Sequence, residues 1–359
     1  MSGPTTAIYV GDPIAVLVSA AAIRAAQAIA EGYANAEALR DEQQGNRAQR
    51  QASLKTAAAQ GREVLQQQKQ VAETEFNRLI SLADRYAVGD KISASRPAQP
   101  DPLNEIQLAA YVHSMQTLIK ELRTILLTES ALRMDDSDIS VSLDAAITEA
   151  AETGSKTEVQ RLLARIAHLG DLPQNIGSVA REISDLPFLD SERAKLLLNE
   201  LRLRIQVHVE AVQKSSVQEA TALILQQSLK DLGYQVEEVS RTLFVEGGVV
   251  HFRRQGWGDH MVRMRVDPKT ATTNFNVIRA VESANNEQSL LDHLAEDRWC
   301  AEFPALLQAL EARGVHLNVT RRLEAGELPV QLVNKNKLPK FTIESDNYKN
   351  KILNTLKLK

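Results

Sequence analysis

The sequence predicts a mainly α N-terminal region of long helices, arranged as a helical hairpin or coiled coil, and a C-terminal α+β domain with an antiparallel sheet. Three observations carry this expectation. Residues 13–88 are almost unbroken helix formers, rich in Ala, Leu and Gln. Residues 108–126 hold the strongest helical apolar periodicity in the chain. At Gly233 the pattern switches to short runs of β-branched and aromatic residues separated by glycine and proline. A chain of 359 residues has room for two or three domains. The divisions read as a long-helix, coiled-coil-like region at 1–88, a linker at 89–102 and a helical domain at 103–232. An α+β domain at 233–333 and a basic, Lys/Asn-rich tail at 334–359 follow.

Asp12 is placed to cap the first helix and Pro13 to occupy its first turn. Residues 14–30, IAVLVSAAAIRAAQAIA, then read as a buried, alanine-rich helix. Arg24 interrupts this run, which is shorter than the roughly twenty clean apolar residues of a membrane span. Residues 1–13 lack the basic residues that open a signal peptide. After Leu39 the sequence turns polar, and Gly45 and Gly61 interrupt it. Apolar residues there are too sparse to sustain a strict heptad seam, which favours a long exposed helix or hairpin lying on a partner.

GDKISASRPAQPDP, residues 89–102, reads as the linker. The helix after it, from about Leu103 to Glu129, carries Leu108, Val112, Met115, Ile119, Leu122 and Leu126 at alternating steps of four and three. Tyr111, Leu118 and Ile125 widen its buried face. Shorter helices are expected at 140–153 and at 156–169, the latter stopping at Gly170. Pro187 and an Asp190-Ser191 cap open a helix to about Lys214, and a separate helix at 216–232 ends at Gly233.

YQVEEV, TLFV, VVHFRR, MVRMRV and NFNVIRAV supply the strands, with further ones at 315–322 and 328–333. Together they predict an antiparallel meander. A helix at about 287–312, bounded by Gly314, covers the sheet and is anchored by Trp299 and Phe303. The tail reads as irregular, with a short helix at 348–358.

The net charge of −4 is unevenly spread. Residues 334–359 hold seven lysines against two acids, net +5, which leaves −9 for the rest. That balance gives no global argument for nucleic-acid binding. The single cysteine, Cys300, cannot form an internal disulfide and suits a reducing cytoplasm.

The candidate surface lies in VVHFRRQGWGDHMVRMRVDP, residues 249–268, and the strand after it. It comprises Arg253, Arg254, Trp257, Arg263, Arg265 and Arg279. In strand 261–267 arginines 263 and 265 alternate with Val262, Met264 and Val266, so one face is apolar and the other basic. A basic sheet with an exposed aromatic suits single-stranded nucleic acid. Here Trp257 sits in the turn rather than on the strand face, and the domain as a whole totals −3. A solvated face paired with acids ranks first, a protein-partner surface second and nucleic acid third.

Other chemistries find little support. His251, Asp259 and His260 flank one turn, but no second Cys/His cluster completes a zinc set. Cys300 has no recognisable base at a fixed spacing from His293 or His316 and reads as a small buried residue. Phosphate-loop, dinucleotide and nucleophile-elbow motifs are absent, and Gly247-Gly248 reads as a hairpin turn. Asp135, Asp136 and Asp138 do not follow calcium-loop spacing. No catalytic residue, metal, cofactor or small-molecule substrate is expected. The expected function is a non-catalytic scaffold or adaptor subunit of a cytoplasmic multi-protein assembly. It contacts itself or protein partners through its long helices and sheet domain. The alternatives are a nucleic-acid-associated protein using the basic face and lysine tail, or a peripheral membrane-docked protein using residues 6–30.

Overall fold

Asp12 starts the first helix. Its Oδ1 accepts the Ile14 N–H at 3.1 Å and its carbonyl accepts the Val16 N–H at 3.1 Å, satisfying amides that a helix end leaves open. The computed structural model describes residues 5–44, 51–133, 158–185, 192–237, 243, 248–267, 270, 272–282, 290–339 and 341. The chain divides into a helical unit, Gly11–Thr221, and a sheet unit that joins Met1–Val10 to Ala222–Lys359.

In the helical unit, α1 (Pro13–Gln44) packs chiefly on the helix Glu105–Arg133. Its contact face is mostly small: Ala20, Ala21, Ala25 and Ala28 are buried beside Ile14, Val16 and Val18. Small residues let the two backbones close in, and a Cβ on Gly32 would lie 3.0 Å from the Ala110 Cα. Buried Ser114 donates from Oγ to the Ala25 carbonyl at 2.8 Å, and Arg24 pairs with Glu121 at 2.7 Å. The stretch Pro13–Asn35 is long and apolar enough to cross a membrane by length and composition, and half of it is buried inside the protein.

The next helix, α2 (Gln51–Ala83), buries Ala72, Phe76, Leu79 and Ala83. A 3₁₀ turn at Asp84–Tyr86 ends at Ala87 in the left-handed region, φ 57°. Residues 89–102 are not a boundary between the two units. They begin as α3 (Gly89–Ala94), where Ile92 is fully buried, and continue as an extended stretch inside the helical unit. Their prolines do stop the helix, but the chain beyond is held by Glu73. That carboxylate accepts from Arg96 at 3.1 Å, Gln99 at 3.0 Å and the Tyr111 hydroxyl at 3.1 Å. Burial pushes the Glu73 carboxyl up, yet the bonds from Gln99 and Tyr111 and the charges of Lys69 and Arg96 hold it below its ordinary value.

The apolar periodicity at 108–126 becomes the centre of α4 (Glu105–Arg133), and all nine expected positions are buried. A second core forms around Ala131. It takes in Val159 and Ile166 of α5 (Glu158–Ile166), Ile176 and Ile183 of α6 (Gln174–Ser184), and Leu201, Ile205 and Val209 of α7 (Glu192–Asp231). The stop expected at Gly170 is present, with φ 95°. The break expected near Lys214 does not occur, and α7 is one helix of 40 residues. Ser215 and Ser216 lower helix propensity only slightly, and buried Ala220, Ile224, Leu225 and Leu229 extend the apolar face. The helix belongs to the helical unit up to Thr221 and to the sheet unit from Ala222. Long helices are therefore present as expected, but they pack through alanine faces and aliphatic stripes, and a coiled coil is not shown. The helix expected at 140–153 and the cap at 190–191 lie outside the described residues, as do Asp135, Asp136 and Asp138.

The sheet unit has seven strands in the order β2-β3-β4-β5-β1-β6, with β7 also paired to β5. They are β1 (Thr5–Gly11), β2 (Tyr234–Val236), β3 (Val249–Arg254), β4 (His260–Asp267), β5 (Thr272–Val281), β6 (Val315–Arg322) and β7 (Gln331–Asn334). The part from β2 to β5 is the expected antiparallel meander. Two features depart from it. Residues 5–11, unassigned from sequence, form an inner strand whose Thr5–Ile8 pair antiparallel with Phe275–Thr272 of β5. Further along the same edge, β7 pairs parallel with Ile278–Val281. Of the expected strand segments, TLFV falls outside the described strands, and most of the tail falls outside the described residues.

One sheet face packs on α8 (Leu290–Glu311). Trp299 and Phe303, both 1% exposed, meet Phe252 and Phe275 at ring-centroid distances of 5.3–5.8 Å. Pro304 lies inside α8 and lacks the N–H that would bond the Cys300 carbonyl. The Arg322 guanidinium reaches that carbonyl at 3.4 Å. Cys300 itself is buried, as expected.

Ala7 is fully buried on β1, opposite Thr273. Ala7→Asp should destabilise the sheet unit by about 3–5 kcal/mol, because it buries an unpaired carboxylate. Both tryptophans, Trp257 and Trp299, lie in this unit, so urea unfolding followed by tryptophan fluorescence reads it directly. An unchanged midpoint would contradict the insertion of β1.

Candidate functional site

Strand alternation decides where each arginine goes. Register pairs Val262 with Val277, Met264 with Phe275 and Val250 with Met264, and this face meets α8. The alternate pairs, Arg263 with Asn276, Arg265 with Asn274 and His251 with Arg263, point to the other face.

The six residues expected to form one surface separate into five environments. Arg254 binds Glu302 at 2.7 Å, and the same carboxylate accepts the Tyr234 hydroxyl. Burial, and then this hydrogen bond, push the Tyr234 hydroxyl up from its ordinary value. Arg253 donates to Gln235 at 3.2 Å and stacks 5.1 Å from the Phe341 ring. Trp257 is not exposed: it is buried at 6% and sits edge-on to Tyr234 at 6.2 Å. The αL glycines Gly256 and Gly258, at φ 85° and 61°, turn the loop so that the indole folds back onto the core. It therefore offers no stacking platform.

Arg279 is likewise not part of a basic surface. Its Nη1 donates to both Asp292 oxygens at 3.0 Å, while His260 Nε2 lies 2.7 Å from Asp292 Oδ1 and His260 Nδ1 lies 3.3 Å from the Trp257 carbonyl. Asp292 comes from the first turn of α8, so this network ties helix to sheet. A cavity of about 300 Å³ adjoins it, lined by Gly256, Trp257, Gly258, Asp259, His260, Arg279, Leu291, Leu294, Ala295 and Arg298. Among the described residues no Ser, Thr or Cys lines it, and both imidazole nitrogens already face partners. His251, by contrast, points to the opposite face and pairs with Glu237 at 3.0 Å. The two histidines that flank the turn therefore do not converge, and among the described residues no group of three metal-ligating side chains is found.

Arg263 and Arg265 do converge, with residues far away in sequence. On the face opposite α8, a cleft of about 250 Å³ is lined by Thr6 of β1, Arg263 and Arg265 of β4, Asn274 and Asn276 of β5, Arg321 of β6, and Leu323 and Leu328 of the loop after it. Among the described residues no acid lines the cleft. Arg263 donates to Gln331 Oε1 of β7, whereas among the described residues Arg265 and Arg321 have no ion-pair or hydrogen-bond partner. Burial, and then the neighbouring charge of Arg265, hold the Arg263 guanidinium below its ordinary value. Thr6 donates to Asn274 Oδ1 at 2.7 Å, which turns the Asn274 amide nitrogen free to donate. Asn276 Oδ1 is buried with no hydrogen-bond partner. The arrangement is a concave set of donors that suits an anion.

Sequence alternation identified Arg263 and Arg265. It missed Arg321, Thr6, Asn274 and Asn276. The two asparagines alternate with Phe275, a signal readable in principle, but Thr6 and Arg321 join only through strand pairing across hundreds of residues. Compared with protein-family models, curated proteins and solved structures, the chain matches none.

Two outcomes follow from the helix–sheet contacts. Asp292→Ala removes the carboxylate shared by Arg279 and His260 and should cost about 3–5 kcal/mol in urea unfolding, whereas a change below about 1 kcal/mol would show that the network does not hold α8. Glu296 is 4% exposed and accepts the Gly326 N–H at 2.8 Å. Burial pushes its carboxyl above the ordinary value of 4.5. A carboxyl raised in the folded state stabilises the fold when protonated, and that contribution fades as pH rises through the folded value. Wild type should therefore gain stability relative to Glu296→Gln as the pH falls from 7 toward 4.5. Parallel pH profiles of the two proteins would contradict the assignment.

Proposed function

We propose that the protein is a non-catalytic adaptor whose sheet unit captures an anionic group on a protein partner through Arg263, Arg265 and Arg321. The observation that carries this reading is the cleft itself: three guanidiniums converge, none with a counter-ion among the described residues, beside asparagine and threonine polar groups. Oriented but unneutralised arginines are the usual means of recognising carboxylate or phosphate.

The helices support the adaptor part. Val64 and Val71 of α2 are 51% and 70% exposed, and Leu196, Leu203 and Val207 of α7 are exposed on turns of similar phase. Such faces suit assembly contacts. A reducing compartment, as in the cytoplasm, fits the buried lone thiol of Cys300.

Nucleic acid is the weaker reading. A single-strand binder combines a continuous basic groove with exposed stacking rings. Here Trp257 is buried, and Arg254 and Arg279 are neutralised by Glu302 and Asp292.

The test is an affinity capture from the native host, with mass spectrometry and nuclease treatment, comparing wild type with Arg263→Glu/Arg265→Glu. A protein partner that survives nuclease and is lost in the double variant is the expected result. Partners that vanish with nuclease would overturn the adaptor reading in favour of nucleic acid.

A further inference from the structure

The geometry points to a phosphate monoester dianion as the group that the arginine cleft takes. This deepens the proposed reading, on which it rests for the identity of the site. Four features separate phosphate from carboxylate and from a polynucleotide backbone.

The first is the direction of the donors. Arg263 and Arg265 rise from alternate positions of β4, while Arg321 reaches in from β6, beyond β5 and β1 in the sheet. Donors that approach from opposite sides suit a tetrahedral group with three terminal oxygens. A planar carboxylate is satisfied by one bidentate guanidinium.

The second is charge. Three arginines with no acid among the described lining residues leave more positive charge than one carboxylate neutralises, and a monoester carries nearly −2 at pH 7. The third is size. A cleft of about 250 Å³, lined also by Leu323 and Leu328, has room for one terminal group, not a track of successive diesters. The fourth is the buried, unpartnered Asn276 Oδ1. It calls for a donor on the ligand, such as an N–H of the chain that carries the ester.

The source is inferred to be a phosphorylated side chain of a protein partner rather than free phosphate. The apolar side chains of Leu323 and Leu328 offer contact to the chain on which the ester sits, and Leu328 is 45% exposed.

Calorimetric titration of the full chain tests this with four probes at equal ionic strength: a phosphoserine-containing peptide, its unphosphorylated parent, inorganic phosphate and acetate. The expected order is phosphopeptide tightest, inorganic phosphate next, acetate and parent peptide without measurable binding. Arg321→Gln should weaken phosphopeptide binding at least about tenfold, in the range of one charge-assisted hydrogen bond. Arg298→Gln, outside the cleft, should leave it unchanged. Lowering the pH from 7.5 to 5 should weaken binding as the ester, with a second pKa of about 6, takes up its proton. Phosphopeptide and inorganic phosphate binding equally would support the phosphate site and overturn its assignment to a phosphorylated chain. Acetate binding as tightly as phosphate, or affinity unchanged in Arg321→Gln with unchanged tryptophan fluorescence, would overturn the proposal. Phosphopeptide binding together with no cleft-dependent partner in the capture experiment would sink the adaptor reading alone.

Discussion

The backbone of β5 is the constraint on which the sheet unit depends. Half of its ten residues are buried and the other half partly so, and both edges need hydrogen-bonding partners along their length. One edge is covered by β4 from His260 to Asp267. The other is shared: β1, from the start of the chain, pairs with its first part, and β7, from near the end, pairs with its last part. The β1 register reaches Phe275 and the β7 register begins at Ile278. Asn276 lies at the junction, which is where the arginine cleft forms. The site is thus a consequence of how a long central strand is completed.

The faces of that sheet separate two kinds of chemistry. Toward α8 the side chains are aromatic and aliphatic, and the charges present are spent on holding the helix, as in the Arg279–Asp292–His260 network. Toward the other face the arginines are less completely neutralised. A single strand supplies both roles, because Val262, Met264 and Val266 go one way and Arg263 and Arg265 the other. The same rule divides β6, where Arg322 serves the carbonyl left open by Pro304 and its neighbour Arg321 enters the cleft. Neighbouring arginines that look equivalent in sequence therefore perform different work.

The helical unit relies on a different economy. The α1–α4 contact is made largely of alanine with Gly32 at a close approach, so backbones lie near one another and little large apolar surface is needed. Its polar groups are handled one at a time, as with Ser114 on the Ala25 carbonyl and Glu73 collecting Arg96, Gln99 and Tyr111. That last cluster explains why a proline-rich segment became part of the fold. Proline ends a helix, but whether the chain beyond runs free depends on partners it meets, here a carboxylate on α2.

Local physics was legible in the sequence. Helical periodicity located α4 and its buried face, the Asp12–Pro13 cap located the start of α1, β-branched and aromatic enrichment located β3, β4 and β5, and period-two alternation gave the outward direction of Arg263 and Arg265. Each of these depends only on residues within one or two turns or one strand. Tertiary structure decided the rest. The entry of residues 5–11 into the sheet, the burial of Trp257, the neutralisation of Arg254 and Arg279, and the meeting of Thr6, Asn276 and Arg321 with Arg263 all depend on pairing between distant segments. No local pattern carries that information, because a strand's partner is chosen by unsatisfied hydrogen bonds and apolar surface elsewhere in the chain.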